Sequence, residues 1–205
     1  TCSSNQELIA TVGFDSQVRL FSAADGSLKQ KFDGPCQDLR GVKFSPDCSI
    51  VAAAGRNGII RLWNVRHKEV AQELTGHTRR IRALAFSPDG TQLASAGEDR
   101  TTRVWDVAGG REIVALPTRP AKVMSLAFYA ADRISTGCTD NRIRIWNVET
   151  GRQLQTLEGH TGSVACLAWQ PGLLASGGYD TTVRLWRLDN LAERANRVEE
   201  GPTLN

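Results

Sequence analysis

His77, Ser95 and Asp99 are the three side-chain types of a nucleophilic triad, and His160, Ser176 and Asp180 supply the set again. In such a triad a carboxylate orients an imidazole, and the imidazole takes the proton of a hydroxyl that attacks an acyl carbon. In both sets the Asp follows the Ser by four residues. Neither serine sits in a Gly-rich nucleophile elbow, and no oxyanion-hole motif accompanies it. The remaining histidine is His67, and no His-Glu-x-x-His, phosphate loop or dinucleotide fingerprint occurs. Gly177-Gly178 precedes a turn between strands rather than a helix, so it is no phosphate cradle. Cys2, Cys36, Cys48, Cys138 and Cys166 are odd in number and lack a Cys-x-x-Cys pair, which argues against a disulfide framework and against zinc. No catalytic residue, metal or cofactor is expected.

Bulk properties fit a globular chain in a reducing, cytoplasmic compartment. Charged residues make up 23% of the sequence, and the formal net charge of +3 is too small to imply a partner. No apolar run approaches the length of a spanning helix. The opening Thr-Cys-Ser-Ser-Asn-Gln-Glu lacks the basic start and apolar core of a signal peptide.

The elements that must position the triad-like residues announce themselves as a repeat. Val18–Phe21, Ile60–Trp63, Thr102–Trp105, Ile143–Trp146 and Val183–Trp186 are one phrase written five times, 40 to 42 residues apart. Its closing aromatic lies six residues after Asp15, Asn57, Asp99, Asp140 or Asp180. A period in that range marks a repeat architecture. In the clearest copy, Ile81–Phe86 reads as a strand covered on both faces, and Ser87-Pro88-Asp89-Gly90 as a tight turn. Leu93–Gly97, Thr102–Val107 and Glu112–Leu116 read as three further short strands. Four antiparallel strands in one repeat make a small twisted sheet that must bury its faces against its neighbours.

This pattern resembles the WD-repeat family of β-propellers, whose four-stranded sheets stand as blades around a central channel. The resemblance rests on Gly76-His77 and Gly159-His160, on Phe-Ser-Pro-Asp at 44–47 and 86–89, and on the Trp105-Asp106 pair. It implies an all-β propeller over 1–188, with blades near 1–33, 36–75, 78–116, 120–158 and 161–188, and a polar tail at 189–205. It also implies that His77, Ser95, Asp99 and Trp105 form a buried hydrogen-bonded tetrad inside one blade, and His160, Ser176, Asp180 and Trp186 a second. The triad is then structural. Thr136, Asp140 and Trp146 lack the His, because Pro117–Pro120 stands in its place; Ala53, Asn57 and Trp63 lack His and hydroxyl; Thr11 and Asp15 end in Phe21. Arg19, Arg61, Arg103, Arg144 and Arg184 recur once per blade and are expected to lay their stems along the aromatic faces rather than form a nucleic-acid stripe.

Propellers of this family gather two sets of loops on one end of the ring. Here that end would carry Phe14, Arg56, Glu98, Thr139 and Tyr179 before the turn acids. Around the first-strand entries it would carry Asp38, Arg40, Arg79, Arg80, Arg82, Arg119, Lys122, Met124 and Ser163. Seven of these residues are basic and two acidic, which predicts a positive face for an acidic or phosphorylated protein segment, with Tyr179 and Phe14 as anchors. The resemblance thus implies a non-catalytic protein-interaction scaffold. A targeting module of a larger enzyme is the alternative, and a nucleic-acid-associated propeller the weakest reading. Cys2 aligns with Phe86, so the first blade is expected to lack its innermost strand, and no apolar strand follows Trp186. Both ends read as parts of a longer ring, with about two repeats of about 40 residues each upstream.

Overall fold

The computed structural model describes residues 1–117, 120–170 and 172–188; the polar tail at 189–205 and Arg119 fall outside them. The described residues form five antiparallel sheets, and sequential strands are neighbours throughout. Blade 1 holds β1 (Leu8–Val12), β2 (Gln17–Ser22) and β3 (Leu28–Asp33). Blade 2 holds β4 (Leu39–Phe44), β5 (Ile50–Gly55), β6 (Ile60–Asn64) and β7 (Glu69–Leu74). Blade 3 holds β8 (Ile81–Phe86), β9 (Gln92–Gly97), β10 (Thr102–Asp106) and β11 (Arg111–Leu116). Blade 4 holds β12 (Val123–Ala130), β13 (Arg133–Cys138), β14 (Ile143–Asn147) and β15 (Gln153–Leu157). Blade 5 holds β16 (Val164–Gln170), β17 (Leu173–Gly178) and β18 (Val183–Arg187).

The first strand of each of blades 2 to 5 lies against the preceding blade, so the sheets stand in chain order around the inner strands. Blade 1 has only the stub of an inner strand. Cys2 bridges Ile9 as Phe86 pairs with Leu93, and Thr1 exchanges backbone hydrogen bonds with Ala10.

The repeated phrase of the sequence turns out to be the third strand of every blade. Its first and third residues face the following blade: Val18 and Leu20, Ile60 and Leu62, Thr102 and Val104, Ile143 and Ile145 are all at most 1% exposed. Its aromatic faces the other way and pairs across the sheet with an aliphatic on the second strand, as in Leu93↔Trp105, Ile134↔Trp146 and Leu174↔Trp186. Small residues on the second strand, such as Ala52, Ala54, Ala94 and Ala96, let the next blade approach closely. Each core therefore lies between two blades rather than within one. Burying these apolar side chains at about 25 cal/mol per Å2 stabilises sheets too small to stand alone.

The Ser-Pro-Asp-Gly turn is held by its own side chains. Ser87 Oγ donates to Asp89 Oδ1 at 2.6 Å and accepts from Gln92 N at 2.9 Å, while Gly90 takes φ 74°. Ser45 repeats this with Asp47 and Ile50, and Cys48 fills the left-handed position at φ 63°. Ser3-Ser4-Asn5-Gln6 proves to be a third copy, with Leu8 N bonded to Ser3 Oγ and Gln6 at φ 58°.

Candidate functional site: two buried tetrads and a loop-bearing end

Each histidine of the two sets is delivered by the loop entering a first strand, and its Ser, Asp and Trp by the second strand, the following turn and the third strand. In blade 3 His77 Nδ1 lies 2.8 Å from Asp99 Oδ2 and Nε2 lies 2.8 Å from Ser95 Oγ. Trp105 Nε1 donates to the same Ser95 Oγ at 2.8 Å. An ionised carboxylate only accepts, so Nδ1 carries the proton, and Nε2 accepts the Ser95 hydroxyl. Blade 5 repeats these contacts, with His160 Nδ1 2.8 Å from Asp180 Oδ2 and Nε2 2.7 Å from Ser176 Oγ. Trp186 Nε1 donates to Ser176 Oγ at 2.8 Å.

The hydrogen-bond order is that of a serine hydrolase triad, but the nucleophile is shut away. Ser95 is 0% exposed and Ser176 1% exposed, and an indole N–H holds the oxygen that would attack. No substrate carbonyl can approach within reach. Burial lowers the pKa of His77 despite the Asp99 partner, which keeps the ring neutral. For Asp99, burial pushes the pKa up, but bonds from His77, Thr101 and Thr78 outweigh it and hold the carboxyl below its ordinary value. Asp180 is lowered in the same way against its burial, by Thr161 N, His160 and Thr182.

Thr101 and Thr182 are members that the sequence pattern did not single out. Each donates its hydroxyl to the turn Asp at 2.8 Å, and the signal was present as an Asp-x-Thr spacing in both copies. The glycine before each His has a packing reason. A Cβ on Gly76 would lie 3.0 Å from Trp105 and 3.1 Å from Arg103 Nη1, and one on Gly159 would lie 2.8 Å from Arg184 Nη1. In these two blades the arginine guanidinium and the Trp edge thus both crowd the glycine, and in blades 2 and 3 the phrase's arginine finds a carboxylate. Arg103 pairs with Glu112 and Arg61 with Glu73.

Where the His is missing, the pairing changes. Arg144 binds Asp140 in blade 4 and Arg19 binds Asp15 in blade 1. Thr136 Oγ1 still accepts from Trp146 Nε1 at 3.0 Å, whereas Asn57 in blade 2 turns to Pro35 O at 2.9 Å.

The loops of the expected binding end meet through backbone bonds. Glu98 N donates to Arg80 O, Thr139 N to Lys122 O and Tyr179 N to Ser163 O, each at 2.8 to 2.9 Å. Between blades, Asp38 N approaches Phe14 O at 3.4 Å. Arg40, Arg82 and Met124 each occupy the second position of an inner strand at this end. Phe14 and Tyr179 are each 70% exposed, and the Arg40 guanidinium lies 4.6 Å from the Phe14 ring centre.

Some of the charges on this end are paired with one another. Asp38 binds Arg40 at 2.6 Å and Arg80 at 2.6 Å, and Glu98 binds Arg82 and reaches Arg80 at 4.0 Å. Three of the seven expected cations thus share the two carboxylates, and the Arg80–Asp38 pair joins blades 2 and 3. Arg56, Arg79 and Lys122 form no ion pair among the described residues. Arg79 lines a shallow polar recess with Thr78, Glu98, Asp99 and Arg100. Among the described residues no group of His, Cys, Asp and Glu could hold a metal ion, and no helix is long and apolar enough to cross a membrane.

Comparison with known proteins agrees with this architecture. The WD40 family, described as WD domain, G-beta repeat, matches residues 26–64, 68–106, 112–147 and 151–187. Each match begins within two residues of the start of one blade's outer strand and runs through the third strand of the next, so a sequence repeat staples two sheets together. Mitochondrial division protein 1 of Schizosaccharomyces pombe is 38% identical over 68 residues, which is 33% of this chain and 10% of that protein. The chain thus spans about a tenth of that relative's length. Domains of this repeat generally serve as non-catalytic platforms for protein–protein interaction. With four matches over most of its length, the chain belongs to the WD domain, G-beta repeat family.

Proposed function

We propose that the chain is a non-catalytic scaffold whose loop-bearing end grips an acidic or phosphorylated segment of a partner protein. The observation that carries this reading is the pair of aromatic side chains, Phe14 and Tyr179, each 70% exposed on the end that also bears Arg56, Arg79 and Lys122, which form no ion pair among the described residues. Exposed aromatics of this size contribute large apolar contact at small entropic cost, and unpaired cations leave their charge for a partner. Arg40, Arg80 and Arg82 have a different role: they hold Asp38 and Glu98 and so set the shape of the loops. The Ser–His–Asp sets stiffen the blades beneath.

The test is an immobilised array of acidic, phosphorylated, neutral and basic peptides probed with the purified chain. Retention on acidic and phosphorylated members that weakens with added salt supports the reading. Equal retention on all four classes, or none on the acidic ones, contradicts it.

A further inference from the structure

Asn57-Gly58 is the one Asn-Gly pair in the sequence, and it occupies the turn where the other four blades carry Asp15, Asp99, Asp140 and Asp180. Such a pair is chemically labile, because the glycine has no side chain to keep its backbone nitrogen away from the amide carbon before it. The local geometry favours that attack. Asn57 is exposed to water, and Gly58 takes φ 78°. Ile59 N donates to Asn57 Oδ1 at 3.1 Å, which folds the amide back over the following peptide and polarises its carbonyl. At the equivalent position Arg100 N donates to Gly97 O at 3.1 Å and Thr181 N to Gly178 O at 3.2 Å. Gly58 N makes no such bond among the described residues, so the attacking nitrogen is unencumbered.

We infer that Asn57 is a site of spontaneous deamidation, and that its aspartyl product completes the fifth turn acid and recruits Arg61. Base removes the proton of Gly58 N, the nitrogen bonds to Asn57 Cγ, and the Cγ–Nδ2 bond breaks with release of ammonia. Water then opens the succinimide to aspartate or to its isoaspartyl isomer. The aspartate suits the turn. In blades 1 and 4, which also lack the His, the arginine four residues on binds the acid, Arg19 on Asp15 and Arg144 on Asp140. Arg61 has the same spacing from Asn57, but it pairs with Glu73 and donates from Nη1 to Asp33 O at 2.8 Å. Asn57 Nδ2 donates to Pro35 O at 2.9 Å. Deamidation turns that donor into an acceptor facing an acceptor, so the new carboxylate leaves Pro35 for Arg61. The seam between blades 1 and 2 then loses two hydrogen bonds. The isoaspartyl isomer fits poorly, because it lengthens the backbone beside Gly58, where even an added Cβ would lie 2.4 Å from His77 O and 3.0 Å from Arg79 O.

Incubation of the folded 205-residue chain at mildly alkaline pH, followed by digestion in heavy-oxygen water and mass spectrometry, tests the first step. The heavy oxygen marks any conversion that occurs during digestion. Asn57 is expected to convert ahead of Asn64, Asn141 and Asn147, with aspartate the main product in the folded chain and isoaspartate in urea. The second step is read from the Nε–H resonance of Arg61 by nuclear magnetic resonance. Glu73→Gln should shift that resonance in the wild type and leave it unmoved in Asn57→Asp, where Arg61 has changed partner. Circular dichroism of Asn57→Asp should match the wild type. An Asn57 that outlasts the other three asparagines, isoaspartate prevailing in the folded chain, an Arg61 resonance that still responds to Glu73→Gln in Asn57→Asp, or failure of Asn57→Asp to fold would each overturn the proposal.

Discussion

Arg144 holds Asp140 through two guanidinium nitrogens, at 3.1 and 2.5 Å, in the place where His77 holds Asp99 one blade earlier. The turn acid is thus satisfied in both blades, by the imidazole where the entry loop supplies one and by the third-strand arginine where it does not. Burial raises the pKa of Asp140, yet the Arg144 hydrogen bond and charge outweigh it and leave it lowered. Arg144→Leu should cost about 1–2 kcal/mol in urea denaturation, reduced from a fully buried pair because the Asp140 side chain is 29% exposed. The same substitution at Arg61, whose blade has Asn57 in place of the acid, should cost less.

Ser95→Ala removes the acceptor of the Trp105 N–H and the donor to His77 Nε2 in one step. Leaving buried polar groups unpaired costs about 1–3 kcal/mol, and thermal unfolding should show it. Wild-type chain treated with a fluorophosphonate should carry no label on Ser95 or Ser176, as their burial requires; labelling of either would restore the hydrolase reading.

Stability should fall in two stages as pH is lowered. The folded pKa of His77 lies below its ordinary 6.5, so the unfolded chain takes up a proton first and stability declines as pH falls through 6.5. Asp99 and Asp140 have folded values below 3.8, so their contribution is present above that pH and is lost below it. Melting temperatures measured from pH 8 downward should show both stages, and His77→Gln, which cannot titrate, should diminish the first.

The residue after each turn acid or amide adopts a left-handed backbone: Ser16, Gly58, Arg100, Asn141 and Thr181 have φ between 59° and 78°. A β-branched residue is the least suited to that conformation. Thr181→Asn should therefore stabilise the chain by about 0.5–1 kcal/mol in thermal or urea unfolding.

Much of this fold was legible in the sequence because the blades repeat. The period, the Trp phrase and the Gly-His pairs each mark a position that packing fixes, so strand order and tetrad membership could be read from them. Ser3-Ser4-Asn5-Gln6 escaped notice because its Pro, Asp and Gly are all replaced, and only the serine side chain at the right distance from β1 preserves the turn. Which charges of the loop-bearing end pair with one another was not legible, for a different reason. Asp38, Arg80 and Glu98 lie in three separate loops, and local spacing does not reveal which charges meet across blades.

The most direct test of the proposed role is fluorescence anisotropy of a labelled acidic peptide containing phosphoserine, titrated with wild-type chain and with the Arg56→Glu, Arg79→Glu double variant. The account predicts binding that weakens by at least about tenfold in the double variant, the effect of losing charge-assisted hydrogen bonds of about 1.5–3 kcal/mol. Unchanged affinity in the double variant, or equal affinity for a basic peptide of the same length, would contradict it.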